Sequence, residues 1–375
     1  MKKISRRDAM RLAPVLGASL WAGQSNTRSA FAAVAPATAP PLSPEETIKA
    51  AQAEGRLNVA LAPTDWANYA EIIDVFSNTY NIPVKTIDLK GDSTNVLPLL
   101  RQTDAEDAAV DVIDVHLPVG VAAQKEGLLA AHKPIGWNKI PRQLKDAQGF
   151  WAGSHFGVLA FEVNKAAVKN LPQRWSDLLK PEYKAQFALA GDPRTSPLAM
   201  LTVLSAGLAD GGLAGTGLRF FDKLNKAGAL LSQFATSKTI ASGQTPISFR
   251  WDYHALGNRD HLAGSTDIGV VIPQRGVVAR TFVQGINQLT PHPYAARTWL
   301  NFLYSDAGQV LLLKGYARSA WFADLLRRNI IPSDLLAKLL APSAYTRTFF
   351  PTPAQSNTAK SIIEAGWSAV YNPAP

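Results

Sequence analysis

The sequence predicts an α/β fold, on three observations. Short apolar runs of strand character alternate with amphipathic helical stretches through the first third of the chain. Farther on, the apolar run Phe187–Ala190 ends in the turn Gly191–Asp192–Pro193 and leads into a helix start at Ser196–Pro197. The length of 375 residues is that of two domains or two lobes, with ample chain to bury their cores.

Taken in order, folded structure begins at Ser43–Pro44–Glu45–Glu46, a capping box with proline at the first helical position, and that helix stops at Gly55. Arg56–Ala62 is an apolar strand, followed by a loop at Pro63–Thr64–Asp65. Within Trp66–Tyr80, the residues Tyr69, Ile72, Ile73, Phe76 and Tyr80 share one helical face. Pro83–Leu89 is a second strand, the polar turn Gly91–Asn95 opens another helix, and Val110–Val115 is a third strand. Such alternation implies a largely parallel sheet whose ligands sit beyond the carboxyl ends of the strands, where both loops lie. Trp151 and its neighbours open a strand-rich passage through Gly157–Asn164. Thr245–Tyr253 is an extended run feeding a helix, and Asp267–Ile272 is a buried strand ending at Pro273. Helices at Ala295–Tyr304 and Ala307–Leu313 are parted by Ser305–Asp306. The chain then alternates short helical and proline-rich segments.

Composition excludes several functions. The formal charge is +9, but residues 1–32 carry +5 of it and the rest is spread without a basic block, which argues against nucleic acid as a partner. Without cysteine there is no disulfide, thiolate chemistry, Cys-based metal site or lipid anchor on an N-terminal cysteine. Arg6–Arg7, the modest apolar core Leu12–Ala22 and the Ala30–Phe31–Ala32 cleavage pattern read as a twin-arginine export signal over residues 1–32. A flexible leader at 33–42 follows. The apolar core is far short of the roughly 20 residues a membrane span needs.

The turn at Gly191 aims helix-start N–H groups together with Arg194, Thr195 and Ser196 at one point, where a small polar ligand can be held. Ser196 reads as the N-cap and Pro197 as the first helical residue. Trp66, Trp151 and Trp251 can stack on a ligand, and Asp65 and Asp252 adjoin two of them, as an ammonium group requires. Each Asp can equally serve a helix dipole. No catalytic residue, cofactor or metal ligand is assigned. The six histidines show no His-Glu-x-x-His pattern, Ser154–His155 lacks a nucleophile elbow, and no Gly-x-x-x-x-Gly-Lys phosphate loop occurs.

Asp65–Tyr69, Asp111–Val115, Gly127–Leu129, Trp175–Leu179, Pro181–Lys184 and Gly191–Arg194 resemble, in this order, motifs of the periplasmic solute-binding proteins of ATP-binding-cassette importers. Ser242–Gly243, Trp251–Tyr253 and Tyr304–Gln309 continue the likeness, which covers roughly residues 45–322 and points to the polyamine, ferric-iron, thiamine and aminoalkylphosphonate branch. The resemblance implies the two-lobed type II periplasmic-binding fold, with two crossover strands forming a hinge near Phe156–Phe161 and Val270–Gly276. Lobe 1 is then 43–156 with 273–375, and lobe 2 is 157–272. It also implies ligand contacts from Pro63, Thr64, Asp65 and Trp66, from Asp92, Ser93 and Thr94, and from Arg194, Thr195, Ser196, Trp251, Asp252 and Tyr253. The expected partners are a small polar solute bearing an amine, a polyamine or an aminoalkylphosphonate-like zwitterion, and the membrane permease. The protein is expected to be a soluble periplasmic monomer. Two alternatives stand beside this reading. One is a twin-arginine-exported enzyme; the other is a ferric-iron binder, against which the chain has no Tyr-Tyr pair.

Overall fold

The structure, a computed structural model, describes residues 41–61, 63–89, 93–102 and 109–371. The expected signal at 1–32, the leader up to residue 40 and the loop residue Asp92 lie outside them. The first part of the chain runs α1 (Pro44–Glu54), β1 (Leu57–Leu61), α2 (Tyr69–Tyr80), β2 (Val84–Asp88), α3 (Val96–Leu99), β3 (Val112–His116), α4 (Leu117–Lys125) and β4 (Leu129–Ala130). Next come β5 (Ala152–Asn164), β6 (Phe187–Ala188), α5 (Pro197–Ala209), α6 (Ala214–Lys226), α7 (Ser237–Ala241), β7 (Ile247–Trp251), α8 (Asp252–His261), β8 (Ile268–Val271) and β9 (Ala279–Asn287). The last part is α9 (Pro293–Leu303), α10 (Asp306–Lys314), β10 (Arg318–Ser319), α11 (Phe322–Arg327), α12 (Ser333–Lys338) and α13 (Pro353–Val370).

Local chemistry accounts for several boundaries. Ser43 and Glu46 form the reciprocal capping box at α1, and Gly55 closes that helix in the left-handed region. The Ser196 hydroxyl accepts the Ala199 N–H with Pro197 at the first helical position of α5. Helix α2 starts at Tyr69, the first residue of its apolar face, and leaves out Trp66–Asn68 of the expected stretch because Ala67 and Asn68 both adopt positive φ before it.

The strands lie in the order β2-β1-β3-β9-β5-β7-β6. β1 pairs parallel with β2 and β3, and β6 pairs parallel with β7. The centre departs from the expected parallel sheet: β9 is antiparallel to β3 and to the first half of β5, whose second half is antiparallel to β7 and β8. The cause is connectivity. The chain leaves the first lobe along β5 and returns through β8 and β9, so the outgoing and returning strands run in opposite senses.

Each lobe closes on its own core. In the first, Trp299 is fully buried, meets Phe76 edge-on at a centroid distance of 5.1 Å, and donates its indole N–H to Gln284 Oε1 at 3.2 Å. Asp111, fully buried at the start of β3, accepts from the Asn58 N–H at 2.6 Å and the Thr290 hydroxyl at 2.6 Å, with His292 Nδ1 3.0 Å away. It ties β1 and β3 to the segment after β9. In the second lobe Trp175 sits among Phe161, Phe187, Phe220, Phe221 and Phe249 at centroid distances of 4.5–6.0 Å. Its N–H reaches Ser205 Oγ at 3.0 Å, and that hydroxyl donates to the Gly276 carbonyl at 2.5 Å, so this core grips the returning strand.

The C-terminal residues require a correction. The expected first lobe takes in all of 273–375, yet α13 buries Ala359, Ile363 and Trp367 in the second lobe's core, against α5 and α6. Its apolar face at 359, 363 and 367 finds the open side of those helices, with Trp367 5.5 Å from Phe221.

Trp299→Ala removes a fully buried aromatic and the partner of Gln284. It is expected to cost about 3–5 kcal/mol, read as a lower urea midpoint with unchanged m-value.

Candidate functional site

The loop after β1 is built to hold Trp66 outward. The Trp66 N–H donates to the Pro63 carbonyl at 3.0 Å, and the Ala70 N–H to the Thr64 carbonyl at 2.9 Å, which folds the loop back on the start of α2. Asn68 secures its positive φ through Nδ2, which donates to Glu71 Oε2 at 2.6 Å and to the Leu311 carbonyl at 3.1 Å. Gly315, after α10, allows the close approach: a Cβ there would lie 2.5 Å from the Ala67 carbonyl carbon. Asp65 is left exposed, and among the described residues its carboxylate has no ion-pair or hydrogen-bond partner. Trp66 is half-buried.

The opposite wall comes from β7 and α8. Trp66 meets His254 edge-on at a centroid distance of 4.6 Å, and His254 meets Tyr253 at 4.4 Å. Burial, helped by the nearby Arg250 charge, pushes the His254 imidazole down to about 3, so the ring is neutral at neutral pH. The Tyr253 hydroxyl is buried and unpartnered among the described residues. Asp65, Trp66, Ser237, Arg250, Tyr253, His254, Asn258, Lys314 and Tyr316 line one cleft of about 460 Å³ with walls from both lobes. Its basic groups are already engaged. Lys314 pairs with Glu71 at 2.6 Å, and Arg250 donates to Ser237 Oγ at 3.1 Å with the buried Glu162 carboxylate 3.7 Å away.

The remaining expected contacts divide. Ser93 is buried, and its hydroxyl faces His116 Nδ1 at 3.0 Å while accepting the His116 N–H at 3.3 Å, so it orients a histidine at the carboxyl end of β3. Burial holds that imidazole well below its ordinary range. Thr94 is exposed beside it, and Thr64 serves the loop through its main chain. Thr195 is exposed, its N–H on the Asp192 carbonyl at 3.1 Å. Pro197, next to Ser196, lines a smaller cavity of about 80 Å³ with Leu117, Pro118, Arg280 and Thr281, so the α5 start does face the start of α4.

Three expectations are corrected. Arg194 does not reach the cleft: its guanidinium is drawn to Asp192 at 2.6 Å and to Ser368 of α13 at 3.0 Å. The nearest carboxylate in sequence wins it. Trp251 faces inward on β7 and is part of the second lobe's core. Asp252 is fully buried, its Oδ1 accepting the Val158 N–H at 3.0 Å and its Oδ2 the Tyr345 hydroxyl at 2.7 Å. It is a structural pin at the first position of α8, beneath the Tyr253 and His254 that follow it. Trp151, the third of the candidate stacking tryptophans, donates to Gln124 Oε1 at 2.8 Å within the first lobe.

Residues 107–329 match the family described as bacterial extracellular solute-binding protein. The chain belongs to that family. At 26% identity over 195 residues the solute-binding protein is similar to a probable ABC transporter periplasmic-binding protein of Sinorhizobium fredii. That match covers 49% of this chain and 52% of the relative, so the chain spans about half the length of the curated relative it matches. Among solved structures it is similar to iron-bound HitA from Pseudomonas aeruginosa, at 17% identity and a TM-score of 0.61 over 82% of this chain and 97% of that one. It is also similar to the spermidine/putrescine ABC transporter substrate-binding protein PotD from Streptococcus pneumoniae, at 13% identity and a TM-score of 0.64 over 84% and 99%. A third is AfuA from Actinobacillus pleuropneumoniae, with fructose-6-phosphate bound, at 18% identity and 0.60 over 85% and 99%. These neighbours establish the two-lobed fold of periplasmic-binding proteins.

Sequence reasoning passed over His254, Arg250, Asn258, Lys314 and Tyr316 as site residues of the solute-binding protein. The one local signal was the position of His254 in the first turn of a helix entered from a strand. Lys314 and Tyr316 lie some 250 residues from Asp65, and only packing brings them there.

Burial pushes the Asp252 carboxyl up to about 6, against the pull of Tyr345, the Val158 and Tyr253 amides and Arg318. Its protonated form therefore favours the fold. That contribution is fully present below the ordinary carboxylate range and is lost as pH rises through about 6. Asp252→Asn is expected to reduce the fall in urea midpoint between about pH 4 and 7 relative to the parent. Asp252→Ala, which orphans a buried N–H and a buried hydroxyl, is expected to cost about 2–4 kcal/mol at any pH in that range.

Proposed function

We propose that this protein is the substrate-binding component of an ATP-binding-cassette importer. It captures a small polar solute bearing an amine in the cleft between its lobes and hands it to a membrane permease. One observation carries the solute class: the Asp65 carboxylate, without an ionic partner among the described residues, stands beside Trp66 at the mouth of a cleft walled by Tyr253 and His254. An ammonium group there gains a charge-assisted hydrogen bond and aromatic faces. The neutral His254 imidazole adds no repulsion, and the cations of Lys314 and Arg250 are offset by Glu71 and Glu162. The corrections to Arg194 and Asp252 remove the acidic-end contact and the second carboxylate, leaving Asp65 as the ammonium anchor.

A solute held by Asp65 and Trp66 on one side and by Tyr253 on the other binds the closed arrangement better than an open one, and that difference drives closure. On this reading the protein acts by binding and release, without turnover. Its setting is the periplasm, reached by twin-arginine export as a soluble monomer.

Titration calorimetry with putrescine, spermidine and 2-aminoethylphosphonate tests the solute class. At least one amine is expected to bind, and at 100 times its dissociation constant to add about 2.7 kcal/mol of stability. Asp65→Asn is expected to weaken that binding about tenfold or more, and Trp66→Ala to lose about 0.5–2 kcal/mol. Failure of all three amines, or unchanged affinity in Asp65→Asn, overturns the amine reading.

A further inference from the structure

A second hollow lies away from the cleft and shares none of its lining residues. It is about 420 Å³ and is lined by Arg174, Trp175, Ala206, Asp210, Phe220, Gln274, Arg275 and Arg347, among others. The three arginines come from separate places: the segment before the Trp175 turn, the returning crossover between β8 and β9, and the segment before α13. Arg174 is held in place by its Nε, which donates to Gln274 Oε1 at 2.6 Å, leaving its terminal nitrogens for another partner. Arg275 and Arg347 are exposed and have no hydrogen-bond or ion-pair partner among the described residues. Asp210 stands on the same rim but forms no ion pair with any of the three. Guanidinium groups gathered around one hollow repel one another, and an anion placed between them relieves that repulsion. The floor is the rigid aromatic cluster of Trp175 and Phe220, already fastened to the crossover through Ser205 and Gly276.

We propose that this hollow is a binding site for a small polyanion carrying two or more phosphate- or carboxylate-type groups. Guanidinium forks recognise both groups by paired hydrogen bonds, and the volume is that of a small-molecule site. Because Arg275 and Gln274 belong to the returning crossover, the occupant grips the segment that joins the lobes. The proposal does not depend on the nature of the solute in the cleft.

The test is calorimetric titration of the full chain at low ionic strength with inorganic pyrophosphate and, separately, with citrate. Three proteins are compared: the parent, Arg275→Ala/Arg347→Ala, and Arg280→Ala, the last altering the guanidinium of the small cavity near the cleft. Arg275 and Arg347 are exposed and unpartnered, so the double variant is expected to keep the parent's thermal midpoint. At least one probe is expected to bind the parent and Arg280→Ala alike, and to bind the double variant at least about tenfold more weakly. Which probe binds distinguishes phosphate from carboxylate chemistry. No binding of either probe to the parent overturns the proposal. So does unchanged binding by the double variant, or a loss in Arg280→Ala as large as in the double variant.

Discussion

One strand has to serve two sheets, and the rest of the molecule is arranged around that constraint. β5 pairs with β9 up to Val158 and with β7 from Leu159 onward, so at this step its main-chain partners change. The Leu159 N–H finds the Val278 carbonyl at 3.0 Å, and the Val158 N–H finds a side chain, Asp252 Oδ1, at 3.0 Å. A buried amide without that acceptor would be costly, and the carboxylate supplies the acceptor the ladder cannot. Tyr345 occupies the other oxygen, and Arg318 lies over the Tyr345 ring at 4.0 Å, so the C-terminal segment is drawn into the same junction.

The cleft follows from that junction. Asp252 opens α8, and the residues after it are the cleft's aromatic wall. Tyr253 lies directly on β5 at Gly157, where a Cβ would come within 2.5 Å of its ring. That glycine is needed for the approach. With Tyr253 seated on the crossover and His254 beside it, the Trp66 loop meets a wall whose position is fixed by the same hydrogen bonds that join the lobes. Fold and candidate site share their supports here.

Charge takes its meaning from placement throughout. Asp65 and Asp252 look alike in sequence, each an aspartate next to a tryptophan. One is exposed and free to meet a cation; the other is fully buried and committed to Val158 and Tyr345. Asp111, just before β3, and Asp114, within it, are both buried and differ in their partners. Asp111 collects the Asn58 N–H and the Thr290 hydroxyl, with His292 Nδ1 beside it, whereas burial pushes the Asp114 carboxyl up to about 7 with only Tyr69 and Gln284 pulling the other way. The arginines follow the same rule, Arg194 being neutralised by a carboxylate two residues away while Arg275 is not.

What the sequence by itself determined was local and periodic. It showed the capping box at Ser43, the N-cap at Ser196, the face of α2 through Tyr69, Ile72 and Phe76, the strand before the first loop, and Asp65 and Trp66 at that strand's end. These depend on neighbours within a few residues, whose hydrogen bonds and side-chain spacing are written in the chain. Its ordered motifs also carried the two-lobed fold. The tertiary structure alone decided which aspartate is buried, that the central strands run antiparallel, and that α13 rests on the second lobe. Each of those is settled by which distant surfaces come together to bury apolar area. Burial and long-range pairing, unlike capping and periodicity, are not properties of a short stretch of chain.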